Sequence, residues 1–159
     1  KRSGLGRIMQ AKPRASGYAS ALRICCAVLT LLLSSVAAAA PSCGDFLQEL
    51  KLKPAQLEHI ECQPGHVAQV RALIASYRVT GAQAATVERY LNHRTGMARL
   101  RFLCCGWEPA AHRLGRVSKR PERDYEIAMT SEETGIARRA QWAQIPWFYV
   151  TVTLSLEEP

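Results

Sequence analysis

The longest regular pattern in the chain is an alternation near its end. Phe148, Val150, Val152, Leu154 and Leu156 are apolar, with Tyr149, Thr151, Thr153 and Ser155 between them. Successive side chains of an extended chain point to opposite faces, so this run predicts a strand with one face buried and the other in solvent. One strand cannot pair its own backbone or cover its own apolar face. The rest of the chain must supply partner strands and a covering layer.

Those partners are visible upstream. Ser42 can cap a short helix through about Lys51, with Phe46, Leu47 and Leu50 on one side and Pro54 as its stop. Leu57 to Cys62 alternates as a strand, Gln63-Pro64-Gly65-His66 reads as a turn, and Val70 to Val79 as the returning strand of a hairpin. Thr80 and Gln83 have the spacing of a capping box and open a helix to about Arg94. Its inner face carries Ala84, Val87 and Leu91, and Gly96 stops it. Arg99 to Cys105 is a third strand, Glu108 to Asp124 a long loop, and Tyr125, Ile127 and Met129 mark a fourth strand. Ser131 to Gly135 is a turn, and Ile136 to Gln144 a helical turn before the last strand. The order predicts an α+β fold: a mostly antiparallel sheet of about five strands, with helices packed on one face and disulfides stapling it.

The N-terminal region reads differently. Lys12, Arg14 and Arg23 precede an apolar run from Ile24 to Leu33, and Ala37-Ala38-Ala39 supplies an A-x-A site. This is the pattern of a secretory signal peptide, too short for a comfortable membrane span of about 20 residues. Cleavage is expected after Ala39, because cutting after Ala40 would place Pro41 next to the scissile bond. Met9 is a plausible start. The chain thus divides into a leader, 1–39, and one exported domain, 40–159, periplasmic or secreted, with no transmembrane helix in the mature part. A lipoprotein acylated on Cys43 is the alternative, but Pro41 makes Ala40-Pro41-Ser42 a poor lipobox.

Removing the leader changes the charge. The whole chain has 21 basic and 13 acidic residues, a formal net charge of +8. Six of the basic residues and none of the acidic ones lie before Ala40, which leaves the exported part near neutrality. Nucleic-acid binding requires a retained basic face, so it is not expected.

Cys25 and Cys26 leave with the leader, and Cys43, Cys62, Cys104 and Cys105 remain. Four cysteines in a small exported domain predict two disulfides and no free thiol, with three possible connectivities. Adjacent Cα atoms lie about 3.8 Å apart, below the roughly 4.4–6.8 Å of an ordinary disulfide, which disfavours a Cys104–Cys105 bridge. Strand spacing from Ile60 and from Phe102 favours Cys62–Cys104, with Cys43 reaching Cys105.

Several strings are distinctive: Cys43-Gly44-Asp45-Phe46-Leu47, Tyr77-Arg78-Val79-Thr80-Gly81-Ala82 and Cys104-Cys105-Gly106-Trp107-Glu108, followed by Ser131-Glu132-Glu133-Thr134 and Phe148 to Val152. On these the chain resembles a family of exported bacterial proteins of unknown function. The resemblance implies one small exported domain and brings no activity and no catalytic residues.

No cofactor and no metal are expected, since His59, His66, His93 and His112 lack ligand spacing. Asp124 and Glu126 share a strand face as paired carboxylates could, but only their spatial separation would decide such chemistry. No G-x-S-x-G or S-x-x-K motif is present. The Cys-Cys-Gly-Trp string reads either as a thiol or vicinal-disulfide site with Trp107 as a platform or as a strand end with one disulfide on each face. Arg113, Arg116, Arg120 and Arg123 in the long loop could contact an acidic partner or anionic lipid headgroups; Arg138, Arg139 and Trp142 form a second candidate patch, and Trp107 is a further candidate contact, since Arg and Trp are enriched at interaction hot spots. The leading expectation is a binding protein for another exported protein or an anionic envelope component, of the inhibitor or immunity-like kind. The alternative is a small periplasmic enzyme, hydrolytic or thiol-dependent.

Overall fold

The structure is a computed structural model that describes residues 41–119 and 123–156. The expected leader, its expected cleavage site and Arg120 lie outside the described residues. Among the described residues seven strands run in chain order: β1 (Glu58–Val67), β2 (Val70–Thr80), β3 (Leu100–Leu103), β4 (Gly106–Pro109), β5 (Gly115–Ser118), β6 (Asp124–Ser131) and β7 (Trp147–Ser155). Helix α1 (Phe46–Glu49) precedes them and α2 (Gly81–Thr95) follows β2, with 3₁₀ turns at Ala110–His112 and Arg139–Gln144.

Five strands form one antiparallel sheet in the order β1-β2-β7-β6-β5. The expected antiparallel sheet of about five strands is therefore present. β7 is its centre, and the C-terminal alternation lies there. The register aligns apolar rows across three strands. Leu73, Leu154 and Tyr125 form one row, Ala75, Val152 and Ile127 the next, and Tyr77, Val150 and Met129 a third. All of these side chains are buried. Burying each large apolar one is worth about 1.5–3 kcal/mol. The opposite face carries Ser76, Thr151, Thr153 and Glu126, which remain partly in solvent.

α2 covers the buried face with Ala84, Val87 and Leu91. Gly96 ends it at φ +73°, where its N–H donates to the Asn92 carbonyl. Thr80 stands at the N-cap, but its side chain makes no bond to the helix backbone. At the other end of the core, α1 seats Phe46 edge-on against Tyr125 and presents the Leu47 N–H to the Tyr77 hydroxyl at 3.0 Å. Asp45 accepts from that hydroxyl and from the Gln48 N–H, and pairs with Lys53.

The first hairpin turns later than expected. Pro64 and Gly65 lie inside β1, opposite Leu73 and Ala72. The turn is Ala68–Gln69, at φ +47° and +71°. Two positive φ values give a two-residue turn whose twist matches the strands. A proline is tolerated in β1 because that strand is at the sheet edge. The expected long loop, Glu108 to Asp124, begins inside one short strand, β4, and contains another, β5. β4 pairs with β3 in a separate hairpin that lies against β6.

The cysteine pairing differs from the expected one. Cys43 is bonded to Cys62, with Cα atoms 5.4 Å apart, and Cys104 and Cys105 are free and exposed. Strand order explains this. β1 is three strands from β6, roughly 14 Å at 4.8 Å per strand, so Cys62 is far from the hairpin beside β6. The bulge between His59 and Glu61 also breaks the alternation, and Ile60 points outward at 46% exposure.

Candidate functional site

An acidic residue on the apolar face of α2 organises the region beside the β3–β4 hairpin. Glu88 follows Ala84 by one helical turn and is 2% exposed. A buried carboxylate needs charged or hydrogen-bonding partners, and Glu88 accepts three hydrogen bonds from two residues. Arg139 donates to it through Nη1 at 2.7 Å and Nη2 at 2.8 Å, and the Leu100 N–H donates at 2.7 Å. Arg139 also donates to the Leu100 carbonyl. Its guanidinium lies over the Trp142 ring at 4.6 Å and the Trp107 ring at 5.3 Å. The two indoles meet edge to face at 4.9 Å, and Trp107 Nε1–H donates to the Ile136 carbonyl at 2.8 Å. One arginine thus joins α2, β3, β4 and the second 3₁₀ turn.

Above this pair lies a groove. Two adjoining concavities of about 340 and 520 Å³ share Asn92, Arg99 and Arg139. Arg89 lines the first, and Arg101 and Arg113 the second. Their placement follows from element geometry. Arg89 and Asn92 are one helical turn apart on α2. Arg99 and Arg101 flank the buried Leu100 and so share the outward face. Arg113 is held by the Ala98 N–H, which donates to the Arg113 carbonyl at 2.9 Å. Glu88 is the one carboxylate in the lining, and it is matched by Arg139. Among the described residues Arg89, Arg99, Arg101 and Arg113 make no ion pair.

The residues singled out from sequence are not brought together as one patch. Arg113 and Arg139 reach the groove. Arg116 is paired across the sheet edge with Glu126 at 2.8 Å, and Arg123 is likewise engaged. Arg138 is exposed outside the lining, and Arg120 is outside the described residues. Trp107 and Trp142, at 5% and 2% exposure, belong to the core and offer no open ring face to a partner. Their aromatic surface is used on Arg139. Asp124 is engaged separately from Glu126, by the Ser118 hydroxyl. Among the described residues no three His, Cys, Asp or Glu side chains converge as for a metal ion. No helix among the described residues is long and apolar enough to cross a membrane. Glu88, Arg89, Arg99 and Arg101 were not singled out from sequence. The available signal was an acid on a predicted apolar helix face and two arginines flanking a core leucine.

A second feature sits at the hairpin tip. Cys104 and Cys105 form the two-residue loop between β3 and β4. A notch of about 330 Å³ beside them is lined by Cys105, Trp107, Glu108, Ser131 and Glu133. A hydrogen bond to Cys104 and its charge push the Cys105 thiol above its usual pKa, with smaller contributions from burial and Glu133.

A family model described as a domain of unknown function, DUF4952, matches residues 33–107. The match spans α1, the β1–β2 hairpin, α2 and β3, and ends at Trp107 in β4. No curated protein matches the chain, and no solved structure does. The similarity is to a family of unknown function and carries no activity with it.

Proposed function

We propose that this is an exported binding protein whose arginine groove holds a carboxylate-bearing segment of another exported protein, in the manner of an inhibitor or immunity-like partner. The observation that carries this reading is the set of four arginines, Arg89, Arg99, Arg101 and Arg113, around a concavity whose single carboxylate is already neutralised. Guanidinium groups bind carboxylates through two parallel hydrogen bonds, which gives geometric selectivity as well as charge. Export rests on the leader, and the location is periplasmic or secreted. A thiol-dependent enzyme has less support. A nucleophilic cysteine is activated by a lowered pKa, and Cys105 is shifted the other way.

A glutamate-rich peptide tests the reading, with phosphatidylglycerol vesicles as the second arm. The peptide should bind the wild-type chain, and binding should weaken as salt rises because exposed charge contacts are screened over about 8–10 Å. Replacing Arg89, Arg99, Arg101 and Arg113 together by Ser should abolish binding with little change in stability, at most about 0.5 kcal/mol per site. Equal peptide binding by the variant overturns the assignment of the groove. Binding to vesicles and not to peptide overturns the protein partner in favour of an anionic envelope component.

A further inference from the structure

The hairpin tip is independent of the groove. Cys43 and Cys62 are bonded to each other, so among the described residues Cys104 and Cys105 have no other cysteine to pair with. Both are exposed and adjacent in the two-residue loop of the hairpin. The backbone holds them in a fixed tight turn. The Cys105 N–H donates to the Leu103 carbonyl at 2.6 Å, with Cys104 between them at φ +54°. From outside the hairpin, the Thr134 N–H donates to the Cys105 carbonyl at 2.7 Å. The notch beside Cys105 opens next to the thiol and leaves room for a small sulfur compound to approach.

We propose that Cys104 and Cys105 form a vicinal dithiol site that closes to a disulfide between the two adjacent residues by exchange with a small disulfide, and reopens with a thiol. One cysteine thiolate attacks a sulfur of the disulfide RS–SR. The S–S bond breaks, RS⁻ leaves, and a mixed disulfide forms on the protein. The neighbouring thiolate attacks the protein sulfur of that mixed disulfide and expels the second RS⁻. The two protons lost by the cysteines end on the two RSH molecules. The cysteine pair is oxidised by two electrons and RS–SR is reduced by two. Adjacency makes the second step intramolecular, so the mixed disulfide does not accumulate.

Adjacency also sets the equilibrium. Cα atoms about 3.8 Å apart are closer than an ordinary disulfide accepts. The closed ring is strained, and strained, exposed disulfides have more oxidising potentials and are the labile ones. Cys43–Cys62, at 5.4 Å, lies within the ordinary range. The two bonds should therefore differ in how readily thiols open them. Glu108 and Glu133 beside Cys105 favour a cationic over an anionic disulfide.

The test uses the folded chain, exposed under native conditions to the lowest dithiothreitol dose that leaves the hairpin pair as free thiols, then desalted and treated with cystamine. Mass spectrometry with proteolytic mapping should show wild-type protein that has lost two hydrogens and carries no cysteamine adduct. Cys104→Ser and Cys105→Ser should each retain one cysteamine. Exchange with cystamine should be faster than with glutathione disulfide. Stable adducts on both cysteines of the wild type, or disulfide-linked dimers in place of the closed pair, would overturn the site. So would loss of Cys43–Cys62 at the same dithiothreitol dose as the hairpin bond. Melting temperatures of the Ser variants should match wild type, which separates a failed site from a failed fold.

Discussion

The Arg139 guanidinium holds the Glu88 carboxylate at two points, 2.7 and 2.8 Å, across a separation of 51 residues. The carboxylate side chain is 3% exposed and the guanidinium side chain 34%. Removing the arginine would leave a buried charge with one backbone N–H for company. Arg139→Ala should lower stability by about 3 kcal/mol, the low end for a broken buried pair because Arg139 is partly in solvent. Urea unfolding measures this. Replacing Glu88 and Arg139 together by Met should cost less than the sum of the single changes.

Asp45 and Tyr77 give the fold opposite pH limits. Burial pulls the Asp45 carboxyl upward, but Lys53, the Gln48 N–H and the Tyr77 hydroxyl together hold it below its ordinary value. A lowered carboxyl pKa stabilises the fold above the unfolded value, near 4, and that contribution is lost as pH falls through the folded one. Burial pushes the Tyr77 hydroxyl upward, with the Asp45 charge adding to it. That contribution is present below the usual tyrosine value near 10 and is lost as pH rises past it. Melting temperature against pH should fall less steeply below pH 4 in Asp45→Asn, and less steeply above pH 10 in Tyr77→Phe, than in wild type.

Gly81 has no space for a side chain. A methyl group there would overlap the carbonyl oxygens of Trp142 and Ile145, which are backbone and cannot rotate away. Gly81→Ala therefore forces α2 off the second 3₁₀ turn. The cost should be about 1–3 kcal/mol or more, the range for overpacked sites, in place of the small gain alanine brings in an open helix. Thermal unfolding decides between the two signs.

Cys43–Cys62 closes a loop of sequence separation 19 and ties the segment before α1 to the edge strand. Constraining a loop of this length in the unfolded chain is worth about 3 kcal/mol. Cys43→Ser should show that loss in denaturant melts at pH 7, with the same loss on full reduction of the wild type.

The sheet was legible where its signal is local. The alternations of β6 and β7 each report burial of one face, and a side chain's face depends only on its neighbours in sequence. The early turn at Pro64-Gly65 failed because register won over local turn chemistry. Tyr77 pairs with Val150 and Pro64 with Leu73, and that ladder carries the strand through to Ala68–Gln69. β4 and β5 are four residues each, too short for alternation to show. Arg113 was legible as a loop cation. Its grouping with Arg89 and Arg99 was not, because α2, β3 and the segment after β4 meet only in the fold. The cysteine pairing likewise depended on strand order, which no local pattern encodes.

The outer rim of β1 limits how this protein can be recognised. Pro64 withholds a backbone donor there, the slip between His59 and Glu61 bends the strand, and Glu58, Glu61 and His66 are exposed along it. Such features deter another chain from adding itself as a further strand. The opposite rim, β5, offers only four residues. Backbone zipper pairing, which is tolerant of sequence, is thus poorly served at both ends of the sheet. A companion that adds no strand to this sheet is selected by side-chain contacts, so its discrimination should change with single substitutions on either surface.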